Sequence, residues 1–281
     1  MKTLYAVYRE AVKALSDAQC DSPEFDAQQL VSYCFGYNKT GLLMHSGDAI
    51  DEVKLIHFED CVKRRCAHEP LQYIIGMWGF YKYSFKVGKG VLIPRPETEI
   101  LVEYAVEKIN KKGLKVVFDL CCGSGCVGLS IAKRCHQVMV YCIDISDDAL
   151  EYTRQNKELL DVDNVKVIKA DMLDNSSFIG LPRPDLIVSN PPYIRSNEID
   201  TLQSEVLFEP RLALDGGDDG LVFYRSLCDM WYPLINRGGF LAMECGEDQA
   251  NDILSLFLGK ADKGNIIKDA SNLDRVVVVA R

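Results

Sequence analysis

The segment "VSNPPYIR", residues 188–195, runs from an apolar stretch into two consecutive prolines and a tyrosine. Proline has no N–H and a fixed φ, so the pair cannot continue a central strand. The corner it makes offers three groups: the side-chain carbonyl of Asn190, the backbone carbonyl of Pro191 held in direction by Pro192, and the ring of Tyr193. That set suits one kind of chemistry. An amide or aryl-amine nitrogen is a poor nucleophile because its lone pair is delocalised. To attack a methyl carbon in line, its NH₂ must be aimed at that carbon from about 3 Å. Acceptors on both N–H bonds do the aiming, and they bind more strongly as the nitrogen's charge develops. Asn190 and Pro191 are the candidate acceptors and Tyr193 the candidate cover, with no strong base needed if the proton leaves after transfer. Asn-Pro is also ordinary turn chemistry. Read alone, the corner accepts an adenine amine or a glutamine amide equally well.

A second group of residues bears on the electrophile. "FDLCCGSGCVGLSIAK", from Phe118, reads as a strand, a Gly-rich turn and a helix. Gly123, Gly125 and Gly128 satisfy G-x-G-x-x-G and Asp144 follows at the end of the next strand, so a dinucleotide is the first guest to consider. Asp119 argues against it. A carboxylate at the strand end repels a pyrophosphate but attracts an ammonium. S-adenosyl-L-methionine carries that ammonium and no phosphate, and leaves as S-adenosyl-L-homocysteine. The expected contacts are Asp119 and the turn Cys121, Cys122, Gly123, Ser124 and Gly125 at the amino-acid end. Asp144 would take the ribose hydroxyls, and Asp171 the adenine amino group with Met172 against the ring. Asn190 would lie beside the methyl. Three acids at the ends of three consecutive strands line the crevice where open α/β sheets bind ligands.

The elements that must position these groups fall into two regimes. Residues 1–71 show helical spacing only and predict a small helical bundle, with "DSPE" as a helix start. Residues 72–94 alternate aromatic and polar side chains between glycines and predict a linking β-hairpin. Residues 95–281 open with a helix and continue as alternating strands and helices. The runs "KVVFDL", "VMVYCID", "VKVIKAD", "DLIVSN" and "GFLAMEC" are apolar throughout, as parallel strands buried on both faces are. "NIIKDA" and "DRVVVVA" lie close enough for a hairpin, which predicts an antiparallel strand at the C-terminal edge.

Composition excludes several classes. A hydrophobic share of 48% over 281 residues allows a sizeable core, yet no apolar run approaches the roughly 18 residues of a membrane helix. The amphipathic start "MKTLYAVYREAVKAL" is unlike a signal peptide, so a cytoplasmic location with no membrane partner is expected. Eleven cysteines, none spaced C-x-x-C, indicate reduced thiols. His57, Cys61, Cys66 and His68 have the residue types of a zinc set, but packing of small thiols on a helix explains the spacing, and no metal is assigned. The formal charge is −9, and residues 1–80 hold eight Lys/Arg against eleven Asp/Glu. Direct nucleic-acid binding therefore lacks an electrostatic basis, and "VKRRC" reads as a solvated helix face.

With these motifs in place, the chain resembles the class I adenosylmethionine-dependent methyltransferases, whose α/β, Rossmann-like sheet has seven strands. That class usually has glycine where this chain has Cys121, a change expected to be tolerated at negative φ. "VLIPRPETE", "NPPY" and "FEPRLALDGGDDGL" make the closer resemblance, over nearly the whole chain, one to the HemK/PrmC family. That resemblance implies N5-methylation of the glutamine in the Gly-Gly-Gln motif of class I peptide chain release factors. It puts the substrate amide among Asn190, Pro191, Pro192 and Tyr193, has Pro94 and Arg95 of "IPRPETE" line the site, and gives the helical domain a part in gripping the release factor. Arg95 would hold an anion or a backbone carbonyl, or pair with Glu97 or Glu99. Glu97 and Glu209 are read as a helix first-turn acid and a loop acid. The alternative is an adenine-N6 methyltransferase of DNA or RNA.

Overall fold

The computed structural model describes residues 2–174, 176 and 179–281. It divides into two units, Met1–Met77 with Gln203–Phe208, and Trp78–Leu202 with Glu209–Arg281. The smaller unit is built on helices α1 (Leu4–Asp17), α2 (Pro23–Phe35), α3 (Lys39–Met44), α4 (Glu52–Cys66) and α5 (Leu71–Ile75). Leu4, Val7, Ala11 and Leu15 bury one stripe of α1, whose first turn is capped by Thr3 accepting from the Ala6 N–H at 3.3 Å. Pro23 opens α2 and Gly36, at φ +80°, closes it.

One reading of this unit needs correction. Arg65 of "VKRRC" is not on a solvated face but 3% exposed. Its guanidinium donates to Asp26 Oδ2 at 2.7 Å, to Glu205, and to the Glu69 carbonyl at 3.2 Å. A buried cation demands such partners, and two of them lie too far along the chain for local charge patterning to reveal.

In the larger unit the hairpin is shorter than expected. Residues 71–75 form α5, and only β1 (Met77–Phe80) and β2 (Tyr83–Lys86) pair. Residues 87–95, which contain two glycines and Pro94, run on as loop. Then follow α6 (Glu99–Lys112), β3 (Val116–Leu120), α7 (Cys126–Arg134), β4 (Met139–Asp144), α8 (Asp147–Leu160), β5 (Val165–Lys169) and β6 (Leu186–Ser189). After α9 (Val222–Ser226) come β7 (Phe240–Glu244), α10 (Ala250–Leu256), β8 (Lys263–Lys268) and β9 (Asp274–Ala280).

The sheet runs β5-β4-β3-β6-β7-β9-β8, with β9 antiparallel to both neighbours. The C-terminal strand is therefore internal rather than at the edge. Val276, Val277, Val278 and Val279 are buried on both faces, whereas β8 is largely exposed and carries lysine at each end, as edges tolerate. Alternate residues face opposite layers. Val117, Val188 and Ala242 join one apolar cluster, with Leu101 of α6 and Leu129 of α7. Phe118, Ile187 and Leu241 join the other, with Trp231.

Candidate active site

Strand order reverses between β3 and β6, so a crevice opens outside their C-terminal ends. Asp119 of β3, Asp144 of β4, Asn190 after β6 and Glu244 of β7 all reach this end. Two adjoining cavities, both open to solvent, lie there. The first is lined by Cys121, Gly123, Asp144, Asp171, Met172, Asn190 and Pro192, with Val91, Leu212 and Phe223. The second is lined by Asp119, Cys121, Cys122, Gly123, Ser124 and Asn190, with Pro94, Arg95 and Thr98. Cys121, Gly123 and Asn190 border both. Gly125, Pro191 and Tyr193 line neither: Gly125 instead starts α7 at φ +78°.

Asp119 is 1% exposed and accepts from the Gly128 N–H at 2.8 Å. Burial pushes its carboxyl up to about 7, the Gly128 bond opposing this and Asp144 adding to it. A Cβ on Gly128 would lie 2.6 Å from Cys142 Sγ and 2.8 Å from Asp119 Oδ2, so glycine is needed for that approach. Ser124 Oγ, on the wall of the same second cavity, is buried with no hydrogen-bond partner among the described residues. Asp144 accepts from the N–H groups of Gly123 and Ser146, each at 2.9 Å, and burial raises it too. Asp171 accepts from the Leu173 N–H at 2.8 Å. The Met172 carbonyl receives Ser226 Oγ at 2.5 Å and Trp231 Nε1 at 2.8 Å, which anchors the loop carrying Asp171 to a π-helical turn, Leu227–Trp231.

Cys121 departs from expectation. Its φ is +57°, the left-handed region, so this position requires what glycine supplies freely. The thiol faces Met172 Sδ at 3.1 Å, across the mouth of the first cavity.

Two side chains that the motifs do not single out, Thr98 and Glu244, stand beside Asn190 at this corner. Asn190 Nδ2 donates to Thr98 Oγ1 at 3.2 Å. Ser189 pairs with Met243 in parallel register, which brings Glu244 alongside Asn190 on the next strand. Burial pushes the Glu244 carboxyl up to about 7, with the neighbouring Thr98 hydroxyl, the Arg275 charge and the Asn190 amide opposing this. Its Oε2 is buried without a hydrogen-bond partner among the described residues. Thr98 Oγ1 accepts on this side and a carboxylate only accepts, so the Asn190 amide keeps its nitrogen toward Thr98 and Glu244 and its oxygen toward the cavities.

"EPRLALDGGDDGL" completes the corner. The Gly216 N–H donates to the Ile194 carbonyl at 2.8 Å, and a Cβ there would lie 2.8 Å from Tyr193 Cα. Tyr193 is half-buried, its ring against the Phe118 cluster and its phenol pushed up to about 12 by burial. Glu209 lies in a loop, as expected, but is buried and partnered. It is 5% exposed, accepts from the Ile93 N–H at 2.9 Å, and is the ion-pair partner of Arg95. Glu99, one of the partners considered for Arg95, instead accepts from the Tyr81 N–H at 2.7 Å. The Glu209 clamp fixes the loop carrying Pro94 and Arg95.

A seven-stranded sheet with this switch-point crevice and antiparallel β9 is the class I adenosylmethionine-dependent methyltransferase fold. Solved structures agree at the level of fold: the hMettl16 catalytic domain (TM-score 0.56, 13% identity, 82% of each chain) and a T. thermophilus 16S rRNA N2 G1207 methyltransferase (0.52, 16%, 71% of this chain and 47% of that one). Residues 6–76 match the PrmC N-terminal domain and residues 97–225 the methyltransferase small domain. Release factor glutamine methyltransferases from Clostridium acetobutylicum and Aquifex aeolicus are 39% and 33% identical. The first match covers 96% of each chain, the second 100% of this chain and 99% of the relative. The chain belongs to the release factor glutamine methyltransferase family.

Proposed function

We propose that this protein methylates the side-chain nitrogen of the Gly-Gly-Gln glutamine in class I peptide chain release factors, in the cytoplasm, with S-adenosyl-L-methionine as donor. The observation that carries the reading is that Asn190 borders both cavities while its amide nitrogen is already engaged by Thr98, on the side where Glu244 lies. Its carbonyl is thereby committed to an incoming N–H. The family relationship selects glutamine as the owner of that N–H, and the net charge of −9 offers no basis for holding a polyanion.

The residues present fit the donor. The unpartnered Ser124 Oγ and the buried Asp119 carboxyl suit a charged amino-acid end, Asp144 the ribose hydroxyls, and Asp171 with Met172 the adenine. When bound, the donor supplies a sulfonium methyl. The chain's own part is to orient the acceptor nitrogen. Asn190 Oδ1 and the Pro191 carbonyl would take its two N–H bonds, and Tyr193 would cover the amide plane. These dipoles are fixed before substrate arrives, which lowers the barrier without reorganisation. Glu209, through Arg95 and Ile93, keeps the opposite wall in place. Of the two domains the sequence predicts, the helical one would help grip the release factor.

The test is transfer of labelled methyl from adenosylmethionine to a release factor, with the site found by mass spectrometry. N5-methylglutamine in the Gly-Gly-Gln motif is expected. Label that persists after Gln→Ala in that motif, or label in DNA or RNA adenine, would overturn the assignment.

A further inference from the structure

The smaller unit contains a cluster of thiols and imidazole that the methyl-transfer site does not use. Cys34 Sγ lies 4.0 Å from Cys61 Sγ, and Cys61 Sγ lies 3.9 Å from His57 Nε2. All three ligand atoms fall within 4.8 Å of one another. Among the described residues this is the only such group of three or more, and it differs from the set weighed in the sequence. Cys66 and His68 take no part, and Cys34, 27 residues from Cys61, joins from α2.

The geometry points to a zinc site made by Cys34, His57 and Cys61. Zinc–sulfur bonds of about 2.3 Å and zinc–nitrogen bonds of about 2.0–2.1 Å at tetrahedral angles put ligand sulfurs about 3.8 Å apart, and sulfur and nitrogen about 3.5 Å apart. The two closest separations, 4.0 and 3.9 Å, exceed these by less than half an ångström. Helical spacing supplies two ligands, since His57 and Cys61 are four residues apart on α4 and share a face.

The third is placed by packing of α2 on α4. Tyr33 lies against His57, with ring centroids 5.6 Å apart, and Phe35 against Phe58, at 5.2 Å. These pairs flank Cys34 on both sides and fix its register opposite Cys61. A site whose ligands come from packed helices needs little rearrangement to bind. Cys61 is buried and His57 exposed, so the cation would sit at the surface with its fourth position open to water. Two thiolates and a neutral imidazole form a soft donor set, which selects zinc over calcium or magnesium. On binding, both thiol protons leave to solvent and the two thiolates neutralise the cation's charge.

The experiment is equilibrium dialysis of the reduced full-length chain against zinc, with cobalt(II) as spectroscopic probe. One equivalent per chain is expected, and cobalt should give sulfur-to-metal charge-transfer bands with tetrahedral ligand-field bands. His57→Ala, at an exposed position, should weaken binding at least tenfold. Cys34→Ser should do the same and reduce the charge-transfer intensity, while Cys66→Ser should match the parent. Undiminished binding in His57→Ala and Cys34→Ser, or no zinc retained at micromolar free metal, would overturn the site. So would a Cys34–Cys61 disulfide found in protein isolated under reducing conditions.

Discussion

Glu244 offers the sharpest test of how the corner works. Glu244→Gln keeps the volume and removes the one group that can only accept. In the parent, the carboxylate fixes the Asn190 amide with its oxygen toward the cavities; a glutamine amide both donates and accepts, so the flipped Asn190 becomes permissible. A hydrogen bond to a charged acceptor contributes about 1.5–3 kcal/mol. At 1.36 kcal/mol per decade, kcat at pH 8 should fall roughly ten- to 150-fold. The pH dependence has a definite sign. With its carboxyl pushed up to about 7, Glu244 gains a proton below that pH and becomes a donor. Parent kcat at saturating adenosylmethionine should therefore decline about tenfold per pH unit below 7 and level off above 8. The glutamine variant should show no such inflection.

Stability should move the other way. A carboxyl raised from 4.5 in the unfolded chain to about 7 in the fold costs nothing below pH 4.5, where both forms are protonated. The cost grows between pH 4.5 and 7 and is complete above 7, where it amounts to about 3 kcal/mol. Glu244→Gln should recover up to that much at pH 8, read as a higher urea midpoint at unchanged slope. A variant that is more stable but slower supports the orienting role. Parent-level kcat with the parent pH profile would refute it, and so would activity and stability lost together.

Three further outcomes follow from other residues of the same crevice. Asp119 must be ionised to meet an ammonium, and its carboxyl stands at about 7 in the free protein, so adenosylmethionine affinity should fall about tenfold per pH unit below 7. Calorimetry at pH 6 in buffers of different ionisation enthalpy should show nearly one proton released, and none would refute the pairing. Gly216→Ala puts a Cβ 2.8–2.9 Å from backbone atoms of Pro192 and Tyr193, so the corner must shift. Methyl transfer should drop at least about tenfold while cofactor affinity stays unchanged. Cys121→Gly relieves a left-handed residue at about 1–2 kcal/mol but frees the unfolded chain by about 0.5–1. A net gain of up to about 1.5 kcal/mol should appear in urea unfolding, and a loss would show that the Cys121–Met172 contact outweighs the strain.

What can be read from the sequence here is what each strand end offers. Apolar runs stop at Asp119, Asp144, Asp171 and Asn190, and a polar residue closing a buried parallel strand faces the C-terminal crevice whatever the strand order. The seven strands and most helices follow from the same periodicity. Strand order does not, because it is settled by packing between residues far apart in the chain. Placing β9 inside β8 depends on which hairpin member buries both faces. Glu244 ends its strand as plainly as Asp119 does, yet its meaning lies in the β6–β7 pairing, which sets it beside Asn190. Thr98 reaches the same amide from 92 residues away. Glu209 and Arg65 share this cause: each is a buried ion whose partners lie too far along the chain to pair by local spacing. Cys121 illustrates a different limit, since a residue's type does not reveal that the backbone takes φ +57° there.

The direction of the Asn190 amide is thus a property of three segments together. Asparagine at position 190 supplies both a donor end and an acceptor end, and nothing within "NPPY" decides which end meets the substrate. Thr98 and Glu244 decide it, by offering acceptors on one side only. The desolvation that raises Glu244 is the cost of that choice, and a neutral partner in the same place would avoid the cost while leaving the amide free to turn. A buried, incompletely satisfied carboxylate at the end of β7 is therefore what a corner built to aim an amide nitrogen requires.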